Sequence, residues 1–219
     1  MNYLELTNLT LQELNYKTVS DFSELVKPDH KKILETVSRI NENLTNTCDW
    51  AFLMREIDID VPANATAVPI PIGLKIKAAY LDGSPLEYSD ECHRFLDKKG
   101  YYGGFSTFNC QVLIMPREKA TKLKLFYKTK NSAKTADGEE IPRLTNGSDT
   151  TLIPDQHARN VVVFGACMQF KSNPEHPKYK HWLRLFTEGY SQMRADSEFI
   201  VESPPKIKLP RWTVGFDRY

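Results

Sequence analysis

Nowhere in the 219-residue chain do about eighteen apolar residues run together, the length a membrane helix needs. The opening Met1-Asn2-Tyr3-Leu4-Glu5-Leu6 offers neither a basic nor an apolar leader segment. The expectation is a protein neither secreted by the usual route nor membrane-spanning. Cysteine is scarce and dispersed: Cys48, Cys92, Cys110 and Cys167 form no C-x-x-C pair, against both a zinc ribbon and a redox dithiol. Reduced, mostly buried thiols are expected. Net charge is also lacking, with 29 Lys and Arg against 28 Asp and Glu, which excludes a chain that binds nucleic acid or membrane by bulk charge. The phosphate-cradling, dinucleotide, nucleophile-elbow and zincin motifs are all absent. Among five histidines, His30, His93, His157, His176 and His181, the last two stand five apart and fall on different helix faces. They are read as surface or interface residues, and neither a metal nor another cofactor is expected.

What is present is 41% hydrophobic and 26% charged residues, the composition of a packed globular fold. Leu4, Leu11 and Leu14 share one side of a helical wheel over Tyr3 to Tyr16. Pro28-Asp29 opens a second helix, with Ile33, Val37, Ile40 and Leu44 recurring at spacings of four, three and four, and it runs towards the aromatic cluster Trp50-Ala51-Phe52-Leu53. The period then changes to two in Glu56 to Val61 and in Leu74 to Tyr80. Asp82-Gly83 predicts a hairpin, and Gln111 to Met115 and Lys122 to Lys128 read as two further strands of a four- to five-stranded sheet. Residues 129–151, with Gly138, Pro142 and Gly147, read as an exposed arm or loop. Pro154-Asp155 then opens a helix to about Phe170, and Tyr179, Trp182, Leu183, Phe186, Tyr190 and Met193 stripe another.

The expected class is α+β: a helical bundle from residues 1–55 and 152–196 carries an antiparallel β-rich insertion, 56–151. An extended segment, 197–219, follows. Pro204, Pro205 and Pro210 stop any helix there, while Trp212, Val214, Phe216 and Tyr219 are too apolar for a solvated tail. Such a segment suits docking on a neighbouring chain. Charge is uneven. Residues 1–70 hold six Lys or Arg against eleven Asp or Glu, whereas 117–134 hold seven against Glu118 alone. Lys122, Lys124, Lys128, Lys130 and Lys134 are therefore read as a basic sheet edge, blunted against aggregation or touching a phosphate backbone or an acidic subunit. The adjacent Cys92-His93 and the acid pairs Asp90-Glu91 and Glu139-Glu140 are weak marks of catalysis.

The order of elements carries the one resemblance. A Leu-rich helix, a helix ending in Trp50-Ala51-Phe52-Leu53, the hairpin Leu81-Asp82-Gly83-Ser84-Pro85-Leu86, the strands Leu113-Ile114-Met115-Pro116 and Leu125-Phe126-Tyr127-Lys128, and Ile153-Pro154 before two helices succeed one another. Over roughly residues 1–195 this resembles the head-to-tail adaptor, or connector, proteins of tailed bacteriophages, the group of the tail tubular proteins of short-tailed phages. The resemblance implies a non-enzymatic virion protein at the portal vertex, gathered from the host cytoplasm. It implies a ring, commonly dodecameric, between the portal and a downstream tail or nozzle protein, with DNA passing through the lumen. Trp212, Phe216 and Tyr219 would anchor the last segment on the portal or a neighbouring subunit, and Lys206, Lys208, Arg211 and Arg218 would pair with acidic surface. The long aromatic-rich ending departs from the pattern. A phage-associated cell-wall hydrolase and a nucleic-acid-binding module using 117–134 stand as the alternatives.

Overall fold

The computed structural model describes residues 1–71, 74–97 and 100–198. Helix α1, Tyr3–Glu13, starts at a capping box: Glu5 N–H donates to Asn2 Oδ1 at 2.8 Å, and Asn2 N–H donates back to Glu5 Oε2 at 2.8 Å. It ends where Asn15, at φ 61°, turns the chain left-handed and Tyr16 N–H reaches the Leu11 carbonyl at 2.8 Å. Helix α2, Pro28–Thr47, has proline at its first position, and its Ile33, Val37 and Leu44 are buried.

Among the described residues ten strands follow the change of period: β1 (Met54–Val61), β2 (Ala67–Pro69), β3 (Lys75–Leu81), β4 (Ser84–Tyr88), β5 (Gly104–Phe108), β6 (Gln111–Ile114), β7 (Thr121–Lys128), β8 (Ala133–Lys134), β9 (Glu140–Ile141) and β10 (Thr150–Thr151). A one-turn helix α3, Cys92–Leu96, lies between β4 and β5. After β10, α4 (Asp155–Ala158) continues through a π turn, Arg159–Val163, into α5 (Phe164–Phe170). Helix α6 spans Tyr179–Glu198.

This corrects the expected helical bundle with a β-rich insertion. The molecule is α+β, but the larger sheet has seven strands in the order β1-β7-β3-β4-β5-β6-β2, mixed because β4 and β5 run parallel. It curls towards a barrel, and residues from both ends of that order, such as Val61 and Val68, share one core with Leu123, Leu125, Phe105 and Ile114. Two strands escape sequence reading for physical reasons. Strand β2 contains Pro69, tolerable because β2 is an edge strand paired only with β6. Strand β5 begins at Gly104, inside a glycine-rich stretch that reads as punctuation. The short β4, flanked by β3 and β5, joins the two halves of the sheet.

The segment 129–151 is not an exposed arm. It forms a second sheet, β10-β8-β9, with Ser132, Ala133, Leu144 and Asp149 buried. Two-residue strands among Gly and Pro carry no periodicity to read. Asp149 Oδ2 accepts Thr145 N–H at 2.8 Å and Asn146 N–H at 2.7 Å, and the Asp149 carbonyl accepts Tyr3 N–H at 2.8 Å, tying the segment to α1.

The helices pack around the π turn and α5, whose residues Val161 to Cys167 are all buried. Close approach depends on two glycines: a Cβ at Gly165 would meet Ile40 of α2 at 3.1 Å, and one at Gly189 of α6 would meet Asn160 Cβ at 2.5 Å. The β3–β4 hairpin turns on Asp82 (φ 49°) and Gly83 (φ 80°), the pair that two-residue loops of this twist require. Gly83→Ala puts a side chain into a left-handed conformation with no compensating contact. It is expected to lower stability by about 1–2 kcal/mol, read as a drop in Tm.

Candidate interaction surfaces

The five lysines of 122–134 do not form a basic edge. Strand β7 is interior, paired with β1 on one side and β3 on the other. Alternation puts Leu123 and Leu125 in the sheet core and Lys122, Lys124 and Phe126 on the opposite face, where β1 presents acids. Asp60 lies opposite Lys122, and Lys124 Nζ stands 3.5 Å from Glu56 and 3.8 Å from Asp58. The strongly basic stretch and the strictly alternating acidic strand are thus two halves of one cross-strand ladder. Sequence spacing could not show this, because 56–60 and 122–124 lie far apart in the chain.

Lys128 belongs to a different group. Its ammonium donates to the Cys48 carbonyl at the end of α2 at 2.6 Å and stands 3.8 Å from Asp49 Oδ1. Lys75 is also 3.8 Å from Asp49, and Lys77 pairs with the other carboxylate oxygen. Lys130 is exposed next to Thr129, while Lys134 sits in β8 opposite Glu140. The structure therefore brings Lys128 together with Lys75 and Lys77, and separates it from Lys122, Lys124 and Lys134.

The Asp49 carboxyl is held below its ordinary range by the hydrogen bond from Lys77, reinforced by the charges of Lys75 and Lys128 against its burial. A folded pKa below the unfolded one means that its stabilisation is present above the unfolded value and is lost as pH falls through the folded value. Asp49→Asn is accordingly expected to narrow the difference in unfolding midpoint between neutral and acid pH, in urea titrations of variant and parent.

Several of the remaining reactive side chains are engaged. Glu140 accepts from Arg55 Nε at 2.6 Å and from Thr129 Oγ1 at 2.8 Å. These bonds outweigh the burial that would raise its pKa and hold its carboxyl low, the opposite of what a general acid needs. Glu139 is exposed, and Glu91 pairs with Arg94 at 2.9 Å. His93 is exposed beside Cys92, but His30 and His157 are buried rather than superficial, with His157 Nε2 3.0 Å from Asp196. Among the thiols, burial pushes Cys167 up to about 12, Cys48 and Cys92 are half-buried, and Cys110 is exposed. The docking residues Lys206, Lys208, Arg211, Trp212, Phe216, Arg218 and Tyr219 lie outside the described residues. Among the described residues, no helix is long and apolar enough to cross a membrane.

A surface that residue patterns did not single out is aromatic. Of seven exposed large hydrophobic residues described, five fall between 88 and 108: Tyr88, Leu96, Tyr101, Tyr102 and Phe108. They surround β4, α3 and β5. The Tyr101 ring lies over the Gly104 backbone, where a Cβ would be 2.5 Å from its Cζ, and 6.2 Å from the buried Phe95 ring. Tyr88 meets Phe105 edge-on at 5.4 Å. Arg117 stacks on Tyr102 at 5.0 Å and donates to its carbonyl at 3.1 Å. Tyrosine and arginine so placed are the side chains that dominate binding hot spots. The readable signal was the Tyr-Tyr pair among glycines, a composition shared with adaptable contact loops. No protein-family model matches the chain and no similar curated protein is found, so these surfaces are interpreted from their own geometry.

Proposed function

We propose that the chain is a non-catalytic assembly subunit, a connector that builds a ring between the portal and the downstream tail protein of a tailed-phage virion and leaves a lumen for DNA. The aromatic surface around β4, α3 and β5 carries this reading. Four exposed aromatic rings on β4, β5 and the turn between α3 and β5, with an arginine stacked on one of them, have the composition of a protein contact. Its occupant is a neighbouring copy of the chain. Arg117, stacked on Tyr102, supplies a charged anchor for a head-to-tail contact between copies. Head-to-tail contacts close into a ring when the rotation between successive copies closes. The segment from 197 onwards, with Trp212, Phe216 and Tyr219, serves as the grip on the portal, and assembly occurs in the host cytoplasm.

Light scattering on the full chain, with and without portal-bearing particles, tests this. Ring-sized or particle-bound mass is expected, and particle binding is lost in a chain ending at Ser197. A monomer indifferent to particles overturns the proposal.

A further inference from the structure

On the outer face of the large sheet Lys124 is matched by Glu56 and Asp58, and Lys122 lies opposite Asp60. At the joint between the helices and the sheet a cavity of about 530 Å³ is lined by Thr47, Cys48, Asp49, Lys75, Lys128 and Lys130, among others. Among the described residues Asp49 is the only carboxylate in that lining, and one of its oxygens is taken by Lys77 from outside it. Its other oxygen is 3.8 Å from both Lys75 Nζ and Lys128 Nζ. The carbonyl end of α2 adds partial negative charge, but Lys128 already occupies the Cys48 carbonyl. Four ammonium groups therefore answer to one carboxylate and one helix end. The Lys128 side chain is only 11% exposed, so little water screens it. Its burial, together with Lys75 and Lys77, presses its pKa down, a penalty that a second anion would relieve.

We infer that this cavity is a binding site for a phosphate group, held by Lys75, Lys128 and Lys130. Lys75 and Lys128 enter the lining from two strands and Lys130 from the turn after β7. A phosphate presents two non-bridging oxygens as a diester and three as a monoester, and lysine is a common point-charge partner for it. The site stands apart from the aromatic surface and does not depend on the assembly reading.

Calorimetric titration of the full chain with inorganic phosphate, in low-salt chloride buffer near neutral pH, tests the inference. Saturable one-to-one binding is expected. A Lys75→Gln/Lys130→Gln double variant, altering two solvent-exposed side chains whose loss leaves the fold intact by circular dichroism, should weaken it about tenfold or more. A Lys122→Gln/Lys124→Gln control, on the acid-matched ladder, should leave it unchanged. A parallel titration with an oligothymidylate distinguishes the source. Tighter binding than phosphate, lost in the same double variant, places the group in a nucleic-acid backbone, whereas binding of phosphate alone places it in a free or small-molecule phosphate. Absence of saturable binding by both, or equal weakening in the control variant, overturns the site.

Discussion

Trp50→Ala is expected to cost about 3–5 kcal/mol, a large share of the stability of a domain this size, and to leave the chain unfolded or nearly so at ambient temperature. Trp50 is 1% exposed and sits where α2 hands over to the sheet. Its indole N–H donates to the Leu44 carbonyl at 2.6 Å, its ring stacks on Phe52 at 5.8 Å, and Tyr190 of α6 meets it edge-on at 5.6 Å. Truncation opens a void and releases three elements at once. Trp50→Phe keeps most of the volume and should recover more than half of the loss in urea titrations, whereas a variant as stable as the parent would show that the joint is held elsewhere.

Asn41→Ala carries the second large effect. Asn41 is wholly buried in α2, and its amide donates to the Ser132 carbonyl at 2.9 Å and to Ser132 Oγ at 3.2 Å, while its Oδ1 accepts from Thr151 Oγ1. One side chain thus ties α2 to the segment before β8 and to β10. Removing it leaves buried partners unsatisfied, at about 3 kcal/mol. A double-mutant cycle with Thr151→Val, which removes the hydroxyl that donates to Asn41 Oδ1, should give a coupling of about 1 kcal/mol or more. Additive losses would mean that the two residues act separately.

Periodic elements of the fold were legible where one face is buried. The stripe Ile33, Val37, Ile40 and Leu44 produced α2, and the alternation Glu56 to Val61 produced β1. The Asp82-Gly83 turn is equally direct. The size of the sheet was not legible, because β2 and β5 are short and begin or end among Pro and Gly, and because parallel pairing of β4 with β5 leaves no local mark. The basic stretch illustrates the same limit: Lys122 and Lys124 looked free until Asp58, Asp60 and Glu56 were brought beside them by pairing across the chain. Asn41 was invisible as well, since a polar residue inside an amphipathic helix reads as solvated unless its partners, 91 and 110 residues away, are known. For the candidate surfaces, sequence named Lys128 and Lys130 but not Lys75, and passed over Tyr101 and Tyr102, framed by glycines, and Tyr88 and Phe108, which no periodic pattern marks.

Assembly through the aromatic surface is tested most directly by hydroxyl-radical footprinting of the full chain, dilute and then bound to portal-bearing particles. Tyr88, Tyr101, Tyr102 and Phe108 should lose most of their oxidation on assembly, while Val26 and Leu183, equally exposed but remote in sequence, keep theirs. Unchanged oxidation of the four aromatic residues in particle-bound protein would contradict the account.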